Sequence, residues 1–421
     1  MSEPGAADQR PRVVIVGGGF GGLSAARGLA RAPVEVLLID AHNHHCFQPL
    51  LYQVATAALA PSDIAWPIRH VLRRQANATV LMASVLGVDA DRRIVSTSQG
   101  QFAFDWLVLA TGATHSYFGH DAWERNAPSL KTIEDAISIR GRVLKAFESA
   151  EASDDPDERA RLLTFAIVGG GATGVELAGA LAELARHTLP KEFRRADPSR
   201  ARILLLEAGP KLLPSFPERL SDFALRELAR MGVEVRTRTM VEDLGPGAIV
   251  ADGQRIDIGG AILWAAGVRS SPAGHWLDMA CDASGRARVE ADLSAPGRPS
   301  VFIIGDAAAA VGPEGRQAPG LAPAAKQMGE YVARTIRARV AGKPAPGPFR
   351  YRDEGSLATI GRNSAIVKIG PVSFTGFPGW VFWSAAHIYF LIGLRSRFFV
   401  AASWAWSYLS FQRGARLITW S

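Results

Sequence analysis

Three glycines near the beginning of the chain have the spacing of a phosphate-binding loop. They are Gly17, Gly19 and Gly22, in the stretch VVIVGGGFGGLSAARGL. The β-branched residues 13–16 predict a buried strand before the loop, and a helix follows it. In such a loop the first glycine turns the chain, the second admits a pyrophosphate, and the third brings helix and strand close together. Asp40 ends the next apolar run about 20 residues on, where a ribose-binding acid belongs, so the pattern predicts a dinucleotide site.

The same pattern occurs a second time in the chain. Gly169, Gly171 and Gly174 repeat the spacing after the apolar run 165–168, and the next apolar strand, RILLLE, ends in Glu207. One G-x-G-x-x-G stretch is weak evidence by itself, but two in strand–loop–helix context are much more specific. The repeat predicts that one chain binds two nucleotides.

Small residues end three further predicted strands. The run 106–109 leads into Ala110, Thr111 and Gly112, and the run 262–267 repeats this ending at Gly267. Small residues at the carboxyl end of a parallel strand let the backbone approach a ligand. A third strand, 300–304, leads into Gly305 and Asp306. The Asp306 carboxylate can accept hydrogen bonds from a polyol or cap the next helix, and both roles can hold at once.

Length and composition predict a globular protein of more than one domain. The chain has 421 residues, of which 21% are charged and 48% hydrophobic, and a domain typically takes about 100–200 residues. The only cysteines, Cys46 and Cys281, are far apart in sequence and form no C-x-x-C pair, which favours a reducing compartment. The first twelve residues are polar and lack the apolar core of a secretory signal.

Basic and aromatic residues are concentrated at the carboxyl end. No acid follows Glu354, whereas six of the basic residues and five of the ten tryptophans do. Arginine interleaved with tryptophan and phenylalanine suits an anionic membrane surface. A nucleic-acid surface is the competing interpretation, but the segment is too apolar for a solvated groove and has no nucleic-acid-binding motif.

Two apolar segments at this end predict how a membrane is contacted. Residues 377–394 are 18 in number, at the short limit for a span of about 20, and their Pro, Gly, Ser and His favour a buried or interface-lying segment. Residues 397–418 predict an amphipathic helix. One face of that helix carries Trp404, Tyr408, Phe411 and Ala415. Membrane-surface attachment is the favoured interpretation, and docking on the protein's own core is the alternative.

Three histidines and a cysteine follow the second predicted strand. His42, His44, His45 and Cys46 are close enough to suggest a metal site. No second ligand cluster with zinc spacing accompanies them, and loop histidines are commonly solvated or hydrogen-bonded. We therefore predict no metal site here.

The chain resembles the flavoproteins with two dinucleotide-binding domains, and among them the type II NADH:quinone oxidoreductases of bacteria and mitochondria. The resemblance covers essentially the whole chain. Its most specific stretches are FQPLLYQVATAAL (47–59), DWLVLATGA (105–113), VGGGATGVELAGALAE (168–183), VFIIGDAA (301–308), LAPAAKQMGEYVA (321–333) and RGARLI (413–418). Two departures are Asp40, where a glutamate is commoner, and Cys46, where the family usually has an apolar residue.

The resemblance implies an α/β fold class. It consists of two Rossmann-like, three-layer dinucleotide-binding domains of the glutathione-reductase type and an α+β carboxyl-terminal segment that associates with a membrane. The implied domains are residues 1–115 with 293–340 for FAD, 116–292 for NADH, and 341–421 for the membrane-associating segment.

The resemblance also implies ligands and site residues. FAD would contact the first glycine loop with Asp40 and, beyond it, Thr111, Gly112, Gly305 and Asp306. NADH would contact the second loop and, beyond it, Glu176, Glu207 and Gly267. A membrane quinone would lie beside Ala324, Lys326 and Gln327, and the catalytic roles would fall to Glu176 and Gln327. A carboxylate at Glu207 accepts a hydrogen bond from a 2′-hydroxyl but repels a 2′-phosphate, which predicts NADH over NADPH.

The implied activity is oxidation of NADH by flavin, followed by reduction of quinone without proton pumping. The protein would lie peripherally on the bilayer surface, at the cytoplasmic face of the inner membrane, with no nucleic-acid partner and with a homodimer left open. One alternative is a sulfide:quinone oxidoreductase, which needs paired redox cysteines. The other is an NADH-responsive flavoprotein that regulates a partner protein.

Overall fold

The computed structural model describes residues 10–312, 315–410 and 413–419. The helices of these residues are α1 (Phe20–Gly28), α2 (Leu51–Ala55), α3 (Pro61–Ile64), α4 (Ile68–Leu72), α5 (Ile133–Ala152), α6 (Pro156–Leu162), α7 (Ala172–Glu183), α8 (Glu218–Arg230), α9 (Ala322–Val340), α10 (Gly376–Phe390) and α11 (Leu394–Ser410).

The strands are β1 (Arg12–Val16), β2 (Glu35–Asp40), β3 (His44–Cys46), β4 (Ala65–Pro67), β5 (Ala78–Met82), β6 (Val85–Asp89), β7 (Ile94–Thr97), β8 (Gly100–Ala103), β9 (Trp106–Leu109), β10 (Ala113–His115), β11 (Thr164–Val168), β12 (Arg202–Glu207), β13 (Val233–Thr237), β14 (Val241–Gly245), β15 (Ala248–Ala251), β16 (Gln254–Asp257), β17 (Ile262–Trp264), β18 (Val268–Ser270), β19 (Ala287–Arg288), β20 (Ser294–Ala295), β21 (Arg298–Ile303), β22 (Ala308–Ala309), β23 (Ser356–Gly361), β24 (Ser364–Ile369) and β25 (Val372–Thr375).

The chain divides into two compact units, each assembled from three stretches of sequence. The first unit takes the described residues of 1–45, 66–114 and 268–353, and the second those of 46–65, 115–267 and 354–421. Each unit contains one of the two glycine loops.

The first unit is built on a six-stranded sheet in the order β20-β21-β9-β1-β2-β5. Strands β1, β2, β5, β9 and β21 are parallel, and β20 is antiparallel to β21. The predicted strand at residues 13–16 is confirmed as the buried centre of this sheet. Helix α1 packs closely on α9, because a Cβ on Gly329 would lie 2.1 Å from the carbonyl oxygen of Gly21. The sheet thereby receives a helical layer from the segment that carries Gln327.

The second unit contains a four-stranded parallel sheet in the order β13-β12-β11-β17. Its strand β11 is buried along its whole length, and helix α7 follows the glycine loop. Strands β14, β15 and β16 form an antiparallel meander beside a core that includes Ala166, Leu204 and Trp264.

The carboxyl-terminal part of the second unit is an antiparallel sheet, β23-β24-β25, with helices α10 and α11. Helix α10 packs on the sheet, where a Cβ on Gly379 would lie 2.6 Å from the carbonyl oxygen of Ala365. The predicted helix 397–418 is too long at its carboxyl end: the described residues of α11 are Leu394–Ser410, and Ala415 lies in a turn. Phe411 and Trp420 lie outside the described residues. Within the described ranges, no helix combines the length and apolar character that a membrane crossing requires.

Candidate functional site

The first glycine loop has the geometry that its spacing predicts. Gly17 has φ +104°, a conformation that side chains strongly disfavour. A Cβ on Gly22 would lie 1.8 Å from the carbonyl oxygen of Gly17, so only glycine fits there. A Cβ on Gly19 would meet nothing within 4 Å, and this residue caps the amino terminus of α1. The middle glycine therefore faces open space at a helix amino terminus, which suits a pyrophosphate.

Asp40 ties this loop to the end of β2. Its Oδ2 accepts the N–H of Gly18 at 2.6 Å, and its Oδ1 accepts the N–H of His42 at 2.7 Å. A carboxylate has about four acceptor positions, so these bonds leave capacity for a ribose hydroxyl. Asp40 thus fits both a structural and a ligand-binding role.

The other first-unit residues predicted to contact the cofactor differ in their hydrogen bonding. The hydroxyls of Thr111 and Ser271 form a hydrogen bond with each other. The N–H of Gly305 donates to Sδ of Met328 at 3.1 Å, which fixes the loop on α9. Ile304, not Asp306, occupies the cap position of the short 3₁₀ turn, so the helix-cap interpretation of Asp306 is wrong. Among the described residues, no hydrogen bond or ion pair engages the Asp306 carboxylate, which suits a polyol acceptor.

Helix α9 carries the three residues that the sequence resemblance predicts to lie beside a quinone. Ala324 is buried, and Lys326 Nζ lies 4.0 Å from Oε1 of Glu330. The Gln327 amide binds the backbone of Arg352 in both directions: Nε2 donates to its carbonyl at 2.9 Å, and Oε1 accepts its N–H at 3.0 Å. Gln327 is therefore held in one orientation by the segment after α9.

The second glycine loop repeats the geometry of the first. Gly169 has φ +110°, and a Cβ on Gly174 would lie 1.8 Å from the carbonyl oxygen of Gly169. Gly171 again faces open space. Glu207 accepts the N–H of Gly170 through Oε2 and that of Gly209 through Oε1, both at 2.6 Å. The repeated sequence has folded into a repeated structure.

Two further second-unit residues complete the predicted NADH set. Gly267 has φ +72°, and a Cβ there would lie 2.5 Å from the ring of Phe118, which favours glycine at this position. Glu176 lies on α7, where its Oε1 receives a long hydrogen bond of 3.5 Å from the N–H of Thr359.

Glu176 lines a cavity of about 90 Å³ inside the second unit. The polar and charged side chains around this cavity include those of Tyr52, Gln53, Glu183, Arg362 and Arg413, and its aromatic walls are Trp380, Trp383, Trp404 and Tyr408. Burial raises the pKa of the Glu176 carboxyl to about 8, because removal from water disfavours the charged form. Glu176 is thus mostly protonated at neutral pH.

A second carboxylate on the same helix is paired with an arginine. Glu183 Oε2 accepts from Nη2 of Arg413 at 3.0 Å, and Arg413 is buried. The Arg413 guanidinium also donates to the carbonyls of Thr56 and Ala180, at 2.9 and 3.1 Å. This pair is not predictable from the sequence, whose only signal is that Glu176 and Glu183 lie seven residues apart on one helical face.

Two residues of the aromatic stripe predicted to face lipid, Trp404 and Tyr408, instead face this cavity. Trp404 Nε1 donates to Oε1 of Gln53 at 2.7 Å, and Tyr408 stacks on Trp380 with ring centroids 5.5 Å apart. For Trp404 and Tyr408 the membrane-facing prediction is wrong, and the alternative, docking on the protein's own core, is confirmed. Aromatic periodicity identifies an apolar face but does not say what covers it.

Other apolar side chains of the two carboxyl-terminal helices are exposed. On α10 they are Phe377, Val381, Phe382, Tyr389 and Phe390, and on or beside α11 they are Leu394, Phe398, Phe399 and Trp406. We call these nine residues the apolar surface. Arg395 and Arg397 lie between residues of the apolar surface in the sequence. Arg413 forms an ion pair with Glu183, and Arg416 forms one with Glu192.

One of the histidines before α2, His45, contacts the first glycine loop. His45 is buried, and its Nδ1 lies 2.9 Å from the carbonyl oxygen of Gly18. Burial lowers the pKa of His45 to about 4, so the ring is neutral at physiological pH. Burial also raises the pKa of the Cys46 thiol to about 12.

Comparison with known proteins gives consistent matches over most of the chain. Residues 11–329 match the family described as pyridine nucleotide-disulphide oxidoreductase. The type II NADH:quinone oxidoreductase Ndh of Mycobacterium tuberculosis is 46% identical, with 98% of this chain and 91% of that protein covered. NdhA of the same organism, with the same description, is 42% identical, with 99% and 91% covered.

Solved structures share the fold at low sequence identity. NDH2 from Plasmodium falciparum in complex with NADH is similar with a TM-score of 0.88 and 19% identity, over 98% of this chain and all of that one. The sulfide:quinone oxidoreductase of Aquifex aeolicus is similar with a TM-score of 0.72 and 19% identity, over 92% and 91% of the two chains. The predicted α/β fold with two dinucleotide-binding domains is confirmed.

Proposed function

We propose that this protein oxidises NADH and reduces a membrane quinone. The chain belongs to the pyridine nucleotide-disulphide oxidoreductases and, within them, to the type II NADH:quinone oxidoreductases. The observation that carries this proposal is the pair of glycine loops with matching geometry, each closed by its own carboxylate. Two nucleotide sites in one chain suit a flavin cofactor and a nicotinamide substrate.

FAD is the flavin that we assign to the first unit. Its pyrophosphate fits the open space at Gly19, and its ribose fits the hydrogen-bonded carboxylate of Asp40. Its polyol chain fits the Asp306 carboxylate, which has no hydrogen bond or ion pair among the described residues. When bound, FAD supplies two-electron transfer between nicotinamide and quinone. The chain itself holds and orients the reactants, so it needs no nucleophile or metal of its own. The predicted domain boundaries stay predictions.

Glu207 makes the second unit selective for NADH. Its two oxygens already accept N–H groups of Gly170 and Gly209, which fixes the carboxylate at the end of β12. A fixed negative charge accepts hydrogen bonds from ribose hydroxyls and repels a 2′-phosphate. Lys211, close in sequence, is turned to the carbonyl of Phe216 at 2.7 Å, so its charge is directed to the backbone.

Glu176 is the group that we assign to proton supply for the quinol. NADH, quinone and one proton give NAD⁺ and quinol, so each turnover takes one proton from solvent. A carboxyl with a pKa of about 8 holds a proton at neutral pH and loses it readily, which suits a general acid. Gln327, held in place by the backbone of Arg352, is assigned to orient the quinone.

The apolar surface of α10 and α11 is proposed to attach the protein peripherally to a membrane, at its cytoplasmic face. These two consecutive helices expose nine large apolar side chains, and extensive exposed apolar surface is typical of a membrane or protein interaction site. Arg395 and Arg397 add positive charge without an acid nearby in sequence, which suits anionic headgroups.

The test uses the purified protein with three electron donors. Anaerobic NADH is expected to bleach the flavin absorbance, and a short-chain quinone is expected to restore it with continuous turnover. NADPH and sulfide are expected to be poor donors. An unbleached flavin, or bleaching without quinone turnover, contradicts the proposal, and the second outcome favours the regulatory alternative.

The state of the two cysteines disfavours sulfide oxidation, which needs a pair of redox-active cysteines. Both Cys46 and Cys281 are free thiols in the structure. The raised pKa of Cys46 keeps it protonated, and the thiolate is the nucleophilic form.

A further inference from the structure

Three side chains form a hydrogen-bonded series from α11 to α2 at the wall of the cavity. Trp404 Nε1–H donates to Gln53 at 2.7 Å, and Gln53 contacts the Tyr52 hydroxyl at 2.9 Å. An indole N–H is only a donor, so the Gln53 atom that receives it must be the carbonyl oxygen. The amide nitrogen of Gln53 must then face Tyr52 as donor. The polarity of the whole series follows from Trp404.

In this arrangement the Tyr52 hydroxyl does not donate its proton to Gln53. The Tyr52 oxygen accepts from Gln53, so its own O–H is directed to another acceptor. Tyr52 is buried and faces the cavity. The acceptors there include the carboxyls of Glu176 and Glu183, hydroxyls such as that of Ser407, and water bound by the polar groups of the lining.

The charges around the cavity favour Glu176 as the destination of a proton. Helix α7 contributes Glu176 and Glu183, the turn after β23 contributes Arg362, α11 contributes Tyr408, and the carboxyl-terminal segment contributes Arg413. Glu183 is neutralised by Arg413 at 3.0 Å. Among the described residues, Glu176 has no ion pair, so it is the carboxyl of this cavity that gains and loses a proton most readily.

We propose that the Tyr52 hydroxyl relays protons through cavity water to Glu176, and that Trp404, acting through Gln53, is the positioning residue that fixes the direction of this donation. In the relay, Tyr52 passes its proton toward the Glu176 carboxylate as it accepts one from water. The tyrosine ends neutral, and one solvent proton reaches Glu176 for each quinol formed. The inference rests on the proposed role of Glu176 and deepens it, because it links a helix of the apolar surface to the proton supply.

Tyr52→Phe and Trp404→Phe are the test variants, since each removes one polar atom and keeps an aromatic ring. We expect the quinone-dependent kcat of Tyr52→Phe to fall at least ~10-fold, within the range of general acid catalysis. We expect a smaller fall for Trp404→Phe. The solvent deuterium isotope effect rises in both. Turnover with ferricyanide, which takes electrons without protons, is expected to stay unchanged, as is the rate at which NADH bleaches the flavin.

A titration without NADH or quinone gives a readout independent of turnover. The infrared band of the Glu176 carboxyl, identified by its loss in Glu176→Gln, is followed against pH. Removing a hydrogen-bond donor from the charged form raises a carboxyl pKa, so the midpoint is expected to move to higher pH in Tyr52→Phe and Trp404→Phe.

Two controls match the variants. Tyr331→Phe removes a hydroxyl that donates to the carbonyl of Gly347 at 2.7 Å in the first unit, and Trp383→Phe removes a buried N–H that has no hydrogen-bond partner among the described residues. The relay is overturned if Tyr52→Phe matches Tyr331→Phe in both kcat and titration midpoint, or if ferricyanide turnover falls equally with quinone turnover. If Tyr52→Phe loses its flavin, the same comparison of kcat and titration midpoint is made between Trp404→Phe and Trp383→Phe. Absence of quinone turnover in the unmodified protein refutes the proposed function, and the titration still decides the relay.

Discussion

Arg413 donates to Glu183 at 3.0 Å and thereby joins the last described segment of the chain to the end of helix α7. The same guanidinium holds the carbonyls of Thr56 and Ala180, so three separate stretches of the second unit meet at one side chain. A residue that sequence alone places in a basic tail is therefore part of the core.

Removal of this arginine is expected to destabilise the second unit strongly. Arg413→Met keeps the apolar stem but removes the buried partner of Glu183 Oε2 and the guanidinium donor of two carbonyls, at a cost of about 3–5 kcal/mol. The measurement is urea unfolding followed by tryptophan fluorescence. Arg416→Met, which removes a more exposed ion pair with Glu192, should cost no more than about 1 kcal/mol. Equal losses in the two variants contradict the buried role.

Glu207 is expected to set the choice between NADH and NADPH. Glu207→Gln removes the charge that ribose hydroxyls bind, worth about 1.5–3 kcal/mol, so kcat/KM for NADH should fall roughly 10- to 100-fold. The ratio of NADH to NADPH activity should fall with it, because the repulsion of a 2′-phosphate is also lost. Asp40→Asn is the matched control in the other loop: it should weaken flavin retention and leave that ratio unchanged. An unaltered ratio in Glu207→Gln means that Glu207 does not contact the ribose.

The raised pKa of Glu176 predicts how stability depends on pH. The carboxyl ionises near 4.5 in the unfolded chain and near 8 in the folded one. Between these values the folded state binds more protons, so the free energy of unfolding falls as pH rises from about 5 to about 8. Glu176→Gln should remove this part of the fall, whereas Glu148→Gln, at an exposed position of α5, should retain it. Parallel stability curves for Glu176→Gln and the unmodified protein contradict the shift.

The apolar surface is expected to hold the protein on lipid. Leu394→Asp with Phe398→Asp places charge on two side chains that are 81% and 69% exposed, each worth about 1.5–3 kcal/mol when buried in an apolar medium. Binding to vesicles with anionic lipid should fall at least ~10-fold per substitution, with ferricyanide turnover retained. Leu86→Asp, at a leucine that is 67% exposed in the first unit, is the control. Vesicle binding that survives the double substitution rules out this surface as the attachment site.

Much of the nucleotide-binding architecture follows from the sequence because its constraints are local. Gly17 and Gly169 adopt positive φ, and Gly22 and Gly174 have no room for a Cβ, so these positions identify themselves by residue type and spacing. The carboxylates at the strand ends, Asp40 and Glu207, follow from the same repeat. Their ligand roles stay predictions, as do those of Lys326 and Gln327.

The surroundings of the Glu176 cavity were decided by the tertiary structure alone. The sequence shows an apolar stripe at Trp404 and Tyr408 and a basic residue at position 413, but periodicity and charge do not reveal what covers them. Folding brings residues far apart in the chain together, so Trp404 bonds Gln53 and Arg413 bonds Glu183. Burial there removes water, and the loss of water, which no local pattern records, sets the charge state of Glu176.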